Sequence, residues 1–297
     1  MACLKPVTAY KTKSGELTFK AGQGVGFSLK IPCGQCMSCR IDKAREWALR
    51  CCHEAQMHET NCFITLTYND ANLPEDHSLH KEHFQDFIRA LRYHAGKKLR
   101  YFHCGEYGPE KGRPHYHALI FGYDFPDKTL WKETKRNKTY NSPMLDSVWG
   151  KGFTTIGDLN WKTAAYCARY VMKKQTGSAA PEIYQYVNPE TGEIFKRIPE
   201  YATMSRRPGI GRSWFQKFDL DVFPDDFITH QGKKYSVPTY YEKLYASDEG
   251  GEKAMELIKM RREKNALARA DNNTPERLIV REKVLLSKIK QLKRELS

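Results

Sequence analysis

The sequence holds no apolar run near the roughly 18–20 residues needed to span a bilayer, which excludes a helical membrane anchor and a membrane partner. Residues 1–13 contain no apolar core of signal-peptide length, so the chain reads as cytoplasmic, in a bacterial host if a phage encodes it. No Gly-x-x-x-x-Gly-Lys-Ser/Thr phosphate loop is present, which removes a built-in helicase motor, and no internal repeat is visible. Acidic residues are in deficit: 35 Asp and Glu stand against 49 Lys and Arg, a formal charge of +14 at pH 7. The nine cysteines are odd in number and unevenly scattered. Without an export signal, a disulfide framework is not expected and reduced thiols are the default.

What is there is a globular composition, 40% hydrophobic and 28% charged, over 297 residues. That length suits one good-sized domain with appendages or two small ones. The positive balance points to a polyanionic partner, because each Lys or Arg that neutralises a phosphate releases a condensed counterion. Seventeen tyrosines, 14 phenylalanines and 5 tryptophans supply core, and also surfaces on which unpaired bases can stack.

Hydrophobic spacing outlines the elements. Residues 1–32 read as irregular, ending in a strand over 26–31. A helix is expected over 40–59, with Ala44, Trp47, Ala48, Cys51 and Ala55 on one face. Residues 61–68, "NCFITLTY", alternate as a strand that divides Phe63, Thr65 and Thr67 from Ile64, Leu66 and Tyr68. A second amphipathic helix follows over 79–95, then two strands over 99–106 and 114–121 joined by the turn-rich "YGPEKGR". Residues 124–150 read as an inserted polar loop, 152–158 as a strand and 161–174 as a helix. In the charged tail, Thr274 and Pro275 mark a helix start, and Leu278, Leu285, Ile289, Leu292 and Leu296 form a stripe.

The chemistry concentrates in two places. In "RPHYHALIFG", strand alternation puts His115 and His117 on one face, a ready two-point metal site. Glu106 closes the preceding strand on the face shared with Arg100, Phe102 and Cys104, where the hairpin brings its carboxylate beside the imidazoles. Glu110, in the loop, is the rival third ligand. Two His and one carboxylate leave coordination positions for water or a phosphate oxygen. In "YCARYVMKK", Tyr166 and Tyr170 emerge on one helical face, with Arg169 and Lys173 each three residues after a tyrosine. A phenol near its reference pKa of about 10 is a weak nucleophile, and an adjacent cation stabilises the phenolate. Upstream, "PCGQCMSCR" spaces Cys33, Cys36 and Cys39 as C-x2-C-x2-C. Structural zinc needs a fourth ligand, for which Cys3, Cys51, Cys52 and His53 are available. Reduced cysteines heading a helix are the reading preferred on sequence alone.

Together these motifs resemble the His-hydrophobic-His (HUH) endonucleases, and more closely the replication-initiation proteins of gokushovirus-type microviruses. Three blocks in the family's order carry the resemblance: "FITLTY", "GEYGPEKGRPHYHALIFG" and "YCARYVMKK", with "PCGQCMSCR" before them and "MSRRPGIG" after. It spans about residues 30–215. Tyr116 stands where the family often has an aliphatic and is expected to pack on the opposite face. Arg169 stands where such initiators often carry Lys, and a guanidinium cannot donate a proton.

The resemblance implies an α+β fold with a central antiparallel sheet flanked by helices. It divides the chain into an N-terminal segment with the cysteine cluster (1–40), a nicking domain (41–215), a connecting region (216–250) and a charged helical tail (251–297). It further implies Mg²⁺ or Mn²⁺ on Glu106, His115 and His117, attack by Tyr166 or Tyr170 on single-stranded origin DNA, and reliance on host polymerase and helicase. Thr65 and Thr67 are expected at DNA or the active-site shell. Arg113, Arg169, Arg206 and Arg207 are expected at phosphates, with Gly209 and Gly211 allowing close backbone approach. Two other readings stay open: a non-catalytic single-strand nucleic-acid binder, and a metal phosphoesterase that activates water.

Overall fold

The computed structural model describes residues 3–14, 16–22, 25–108, 112–134, 137–170, 184–188 and 191–291. The chain divides into two compact units, one formed by Met1–Lys43 with Leu244–Ser297 and the other by Ala44–Lys243.

The first unit opens with β1 (Val7–Thr12), β2 (Leu17–Thr18) and β3 (Val25–Ile31), an antiparallel sheet in the order β2-β1-β3. Residues 1–32 are therefore not irregular. Their strand signal was weak because β1 buries only Ala9 fully, leaving little hydrophobic alternation to read. Helix α1 (Met37–Gln56) follows, and the boundary between the units falls within it.

The second unit is built on β4 (Asn61–Tyr68), α2 (Lys81–Ala95), β5 (Arg100–Tyr107) and β6 (Pro114–Phe121). The stretch expected to be a loop instead carries β7 (Thr129–Glu133), β8 (Lys138–Asn141) and α3 (Pro143–Trp149). Every β7 residue is exposed, so the hairpin leaves no apolar signature. The α3 signals were present: Ser142 caps the Leu145 N–H, Pro143 opens the helix and Gly150 closes it at φ 62°. Then come β9 (Gly152–Asp158), α4 (Trp161–Tyr170), β10 (Gln185–Val187), β11 (Ile194–Lys196) and β12 (Tyr201–Met204). Last are α5 (Arg212–Phe218), the hairpin β13 (Ile228–His230) and β14 (Lys233–Tyr235), and α6 (Thr239–Ser247).

Among the described residues a seven-stranded antiparallel sheet runs β12-β5-β6-β4-β9-β8-β7, which places β6 between β5 and β4. Its two faces bury different cores. On one face Ile64, Leu66, Tyr68, Tyr116, Ile120 and Ile156 pack against Phe84, Phe87 and Leu91 of α2 and Leu145 and Trp149 of α3. On the other, Phe102, Cys104, Leu119 and Phe121 meet Ala44, Ala48 and Cys51 of α1 and Ala164, Cys167 and Ala168 of α4. Each large apolar side chain so buried contributes about 1.5–3 kcal/mol. The small residues on α1 and α4 let both helices lie close to the sheet. The α+β class with helices flanking an antiparallel sheet is the one expected.

The chain ends in α7 (Gly251–Leu267) and α8 (Pro275–Gln291), both in the first unit. Thr274 Oγ1 accepts from the Arg277 N–H, as its place before Pro275 predicts. Leu278 is buried, while Leu285 and Ile289 are half-buried. Leu292 and Leu296 lie outside the described residues. No described helix is long and apolar enough to cross a membrane.

Candidate active site

The antiparallel register of β5 and β6 sets Glu106 directly opposite His115 and Cys104 opposite His117. Cross-strand partners share a face, so one carboxylate and two imidazoles converge on the α4 side of the sheet. Glu106 Oε1 lies 2.9 Å from His115 Nε2 and 2.7 Å from His117 Nε2. Cis ligands on an octahedral ion with bonds near 2.1 Å stand about 3 Å apart, so this spacing fits a hard divalent cation. One ligand atom from each of the three residues lies within 4.8 Å of the others. The second nitrogen of each ring is also held. His115 Nδ1 donates to the Arg113 carbonyl at 3.1 Å, and His117 Nδ1 is 2.9 Å from Thr65 Oγ1 on β4. Both contacts turn Nε2 toward Glu106, the kind of support metal-binding histidines use.

Helix α4 delivers the tyrosines. Asn160 caps it by accepting from the Lys162 and Thr163 N–H groups, and Thr163 Oγ1 accepts from the Asn160 N–H in return. Cys167 and Ala168 seat the helix on the sheet, which turns Tyr166 and Tyr170 toward β6. Tyr166 donates its hydroxyl hydrogen to Glu106 Oε1 at 2.7 Å, with His117 Nε2 at 3.4 Å. The Tyr166 and Tyr170 rings are 5.0 Å apart, and Tyr170 lies 6.3 Å from the His117 ring. Tyr170 is only 6% exposed, so the tyrosine face is covered and not open to solvent.

Electrostatics bind these groups together. Burial alone would raise the Glu106 carboxyl, but hydrogen bonds from His115 and His117, and their charge, hold it far below the usual carboxylate range. Burial raises the Tyr166 and Tyr170 phenols well above their ordinary value, and the Glu106 charge adds to it. The tyrosines are thus kept as protonated phenols beside a charged carboxylate.

The other expected site residues separate into groups. Thr65 contacts His117, and Thr67 lies opposite His115 on the same face. Arg169 is exposed, its guanidinium 5.5 Å from the centre of the Tyr166 ring. Arg113 bonds the Tyr68 carbonyl and pairs with Asp70 while its own carbonyl orients His115, so it builds the site. Arg206 and Arg207 are not brought to the metal-binding residues. With Arg92, Lys98, Arg100 and Tyr101 they line a basic groove at the far end of β5, about 20 Å along the strand from Glu106. Gly209 and Gly211 have another use than close approach of a ligand: a Cβ at either position would overlap the Tyr240 or Tyr241 hydroxyl. Tyr116 is fully buried on the opposite face, its hydroxyl 2.7 Å from that of Tyr68, and it serves packing as expected. Lys173 and the rival ligand Glu110 lie outside the described residues.

Two aromatic residues escaped the sequence reading. Phe63 stacks on the His117 ring at 5.5 Å and meets Tyr166 edge-on. Phe153 on β9 is paired with Thr67 and 70% exposed, which leaves an open ring on the site's own face. The alternation of "FITLTY" carried the first signal. For Phe153 only the pairing of β9 with β4 could have supplied one.

Residues 61–175, from β4 to just past α4, match the family model of the replication-associated protein ORF2. That stretch contains Glu106, His115, His117, Tyr166 and Tyr170. The chain is 30% identical over 293 residues to the replication-associated protein ORF2 of Spiroplasma virus 4, covering 90% of this chain and 87% of that protein. It is 29% identical over 329 residues to the replication-associated protein VP4 of Bdellovibrio phage phiMH2K, covering 100% and 99%. Identity to the replication-associated protein ORF4 of Chlamydia phage 1 is 32% over 227 residues, covering 73% and 54%. No solved structure matches the chain. The chain therefore belongs to the replication-associated proteins of microvirus-type single-stranded DNA phages, and its role lies in phage replication.

Proposed function

We propose that the chain is an origin-nicking endonuclease and strand transferase that starts rolling-circle replication. The observation that carries this reading is the convergence of the Tyr166 hydroxyl and both imidazoles on a single oxygen of Glu106. Tyr166 or Tyr170 attacks the scissile phosphorus in line. The Tyr Oη–P bond forms as the P–O3′ bond breaks; the phenol proton leaves and the departing 3′-oxygen gains one. The products are a free 3′-hydroxyl and a 5′-phosphotyrosine, which a later 3′-hydroxyl reverses to rejoin DNA. A Mg²⁺ or Mn²⁺ ion held by Glu106, His115 and His117 would polarise the phosphate and offset the carboxylate charge that keeps the phenols protonated. Arg169 adds a cation beside Tyr166, and Lys173 is assigned the same role from its spacing.

The second tyrosine gives the pair a purpose, since it can cleave the regenerated origin while the first still carries DNA. The free 3′-end primes host polymerase, and strand separation falls to a host helicase. Exposed Phe153 and the basic groove at Arg206 and Arg207 support a single-stranded DNA substrate.

Incubation with labelled single-stranded origin DNA and Mn²⁺, followed by a denaturing gel, tests the reading. Wild type should carry covalently attached DNA, Tyr166→Phe or Tyr170→Phe alone should retain some, and the double variant none. Cleavage without adduct would indicate a phosphoesterase that activates water. Binding without cleavage would indicate a nucleic-acid binder.

A further inference from the structure

The first unit carries a cluster that the reading above does not use. Cys3, Cys33, Cys36 and Cys39 bring four sulfur atoms within 4.8 Å of one another. Cys3 Sγ lies 3.6 Å from Cys33 Sγ and 3.8 Å from Cys36 Sγ, and all four residues are free cysteines. A tetrahedron of thiolates around zinc, with Zn–S bonds near 2.3 Å, has edges of about 3.8 Å. The sulfur spacing is that of a metal site.

The fold explains how sulfurs so distant in sequence meet. Strands β1 and β3 pair antiparallel with Val7 opposite Ile31, so Cys3 and Cys33 leave the sheet at the same end. Cys36 immediately precedes α1 and Cys39 lies in its first turn. There the positive end of the helix favours thiolates. Two backbone amides also point at sulfur: the Cys33 N–H donates to Cys3 Sγ and the Cys36 N–H to Cys33 Sγ, each at 3.2 Å. The other three candidates for fourth ligand are engaged in the second unit. Cys51 and Cys52 belong to its core, and His53 stacks on Trp214 and bonds the Tyr241 hydroxyl.

We infer that the first unit holds one structural Zn²⁺ through Cys3, Cys33, Cys36 and Cys39. Four thiolates fill the tetrahedron and leave no position for water, so the ion holds structure and performs no chemistry. Binding transfers the four thiol protons to solvent and changes no oxidation state. The unit has use for such a staple. Among its described residues the buried apolar side chains besides Cys36 are Leu4, Ala9, Met255, Ile258 and Leu278, a thin core for a unit of this size. Zinc ties the entry of β1 and the exit of β3 to the start of α1.

Elemental analysis of the full chain, purified under reducing conditions and dialysed without chelator, should find one zinc per chain. A His115→Ala/His117→Ala variant should keep that zinc, and Cys3→Ser and Cys36→Ser should lose it. This arm separates the cluster from the proposed catalytic metal, on which the inference does not rest. Should the Cys variants be insoluble, Co²⁺ exchanged into wild type decides: it should give the visible absorption of a tetrahedral tetrathiolate. Zinc-free wild type after reconstitution, zinc that departs with the histidines, or Co²⁺ without that absorption would each overturn the assignment.

Discussion

The Tyr166 hydroxyl donates to Oε1 of Glu106 at 2.7 Å, the same oxygen that takes both imidazole Nε2 atoms. In the metal-free protein this phenol therefore competes with a cation for its carboxylate ligand. A hydrogen bond to a charged group is worth about 1.5–3 kcal/mol, and 1.4 kcal/mol is roughly tenfold in affinity. Tyr166→Phe should leave Mn²⁺ affinity unchanged or tighten it by up to about tenfold, measured by isothermal titration. His117→Ala should abolish binding at that site. A tenfold weakening in Tyr166→Phe would mean that the phenol oxygen is itself a ligand.

Phe153 offers its ring on the face that holds the catalytic groups, across β4 from His115. Stacking of a base on an aromatic side chain is worth about 1–3 kcal/mol. Phe153→Ala should raise the Kd for single-stranded origin DNA roughly 5- to 150-fold by fluorescence anisotropy, with no change in Mn²⁺ affinity. Unaltered DNA affinity would take the strand away from β9.

The basic groove is distant from the scissile position, so its residues should bind without catalysing. Arg206→Ala with Arg207→Ala should flatten the log–log dependence of DNA affinity on salt by about one unit per lost phosphate contact. Cleavage of DNA that is already bound should continue at the wild-type rate. A slope that does not change would place the DNA elsewhere.

Glu54 of α1 joins three elements, accepting from His58, from Arg100 on β5 and from the Gly211 N–H before α5. Burial would raise its carboxyl, but these donors outweigh burial and hold it below the usual value. Its stabilising contribution is therefore complete above the unfolded carboxyl's value of about 4.3 and is lost as pH falls through the lower folded value. Glu54→Gln should cost about 1.5–3 kcal/mol at neutral pH. Thermal melts below pH 4 should show the gap between wild type and variant closing. A gap that stays constant down to acid pH would show that the charge contributes nothing.

The sequence by itself determined the local parts. The alternation of "FITLTY" and "PHYHALIF" fixed which side chains face each side of β4 and β6, because a strand's period of two allows no other arrangement once its register is set. The i, i+4 spacing of Tyr166 and Tyr170 fixed their common helical face. Thr274 and Pro275 marked the start of α8 for reasons contained within one helical turn. Elements with little burial were not legible: the exposed β7–β8 hairpin and the thinly covered β1 carry almost no hydrophobic pattern.

Long-range pairing was decided only in the tertiary structure. The β5–β6 register put Glu106 opposite His115, and the packing of α4 on the sheet brought Tyr166 to the same carboxylate oxygen. Antiparallel pairing of β1 with β3 selected Cys3 over three rivals that are closer to the motif or equally capable ligands. It was also the tertiary structure that sent Arg206 and Arg207 to the far end of β5 and turned Arg113 into a support for His115. A charge in a sequence says that a phosphate or a carboxylate will be found, and only the pairing of distant strands decides which.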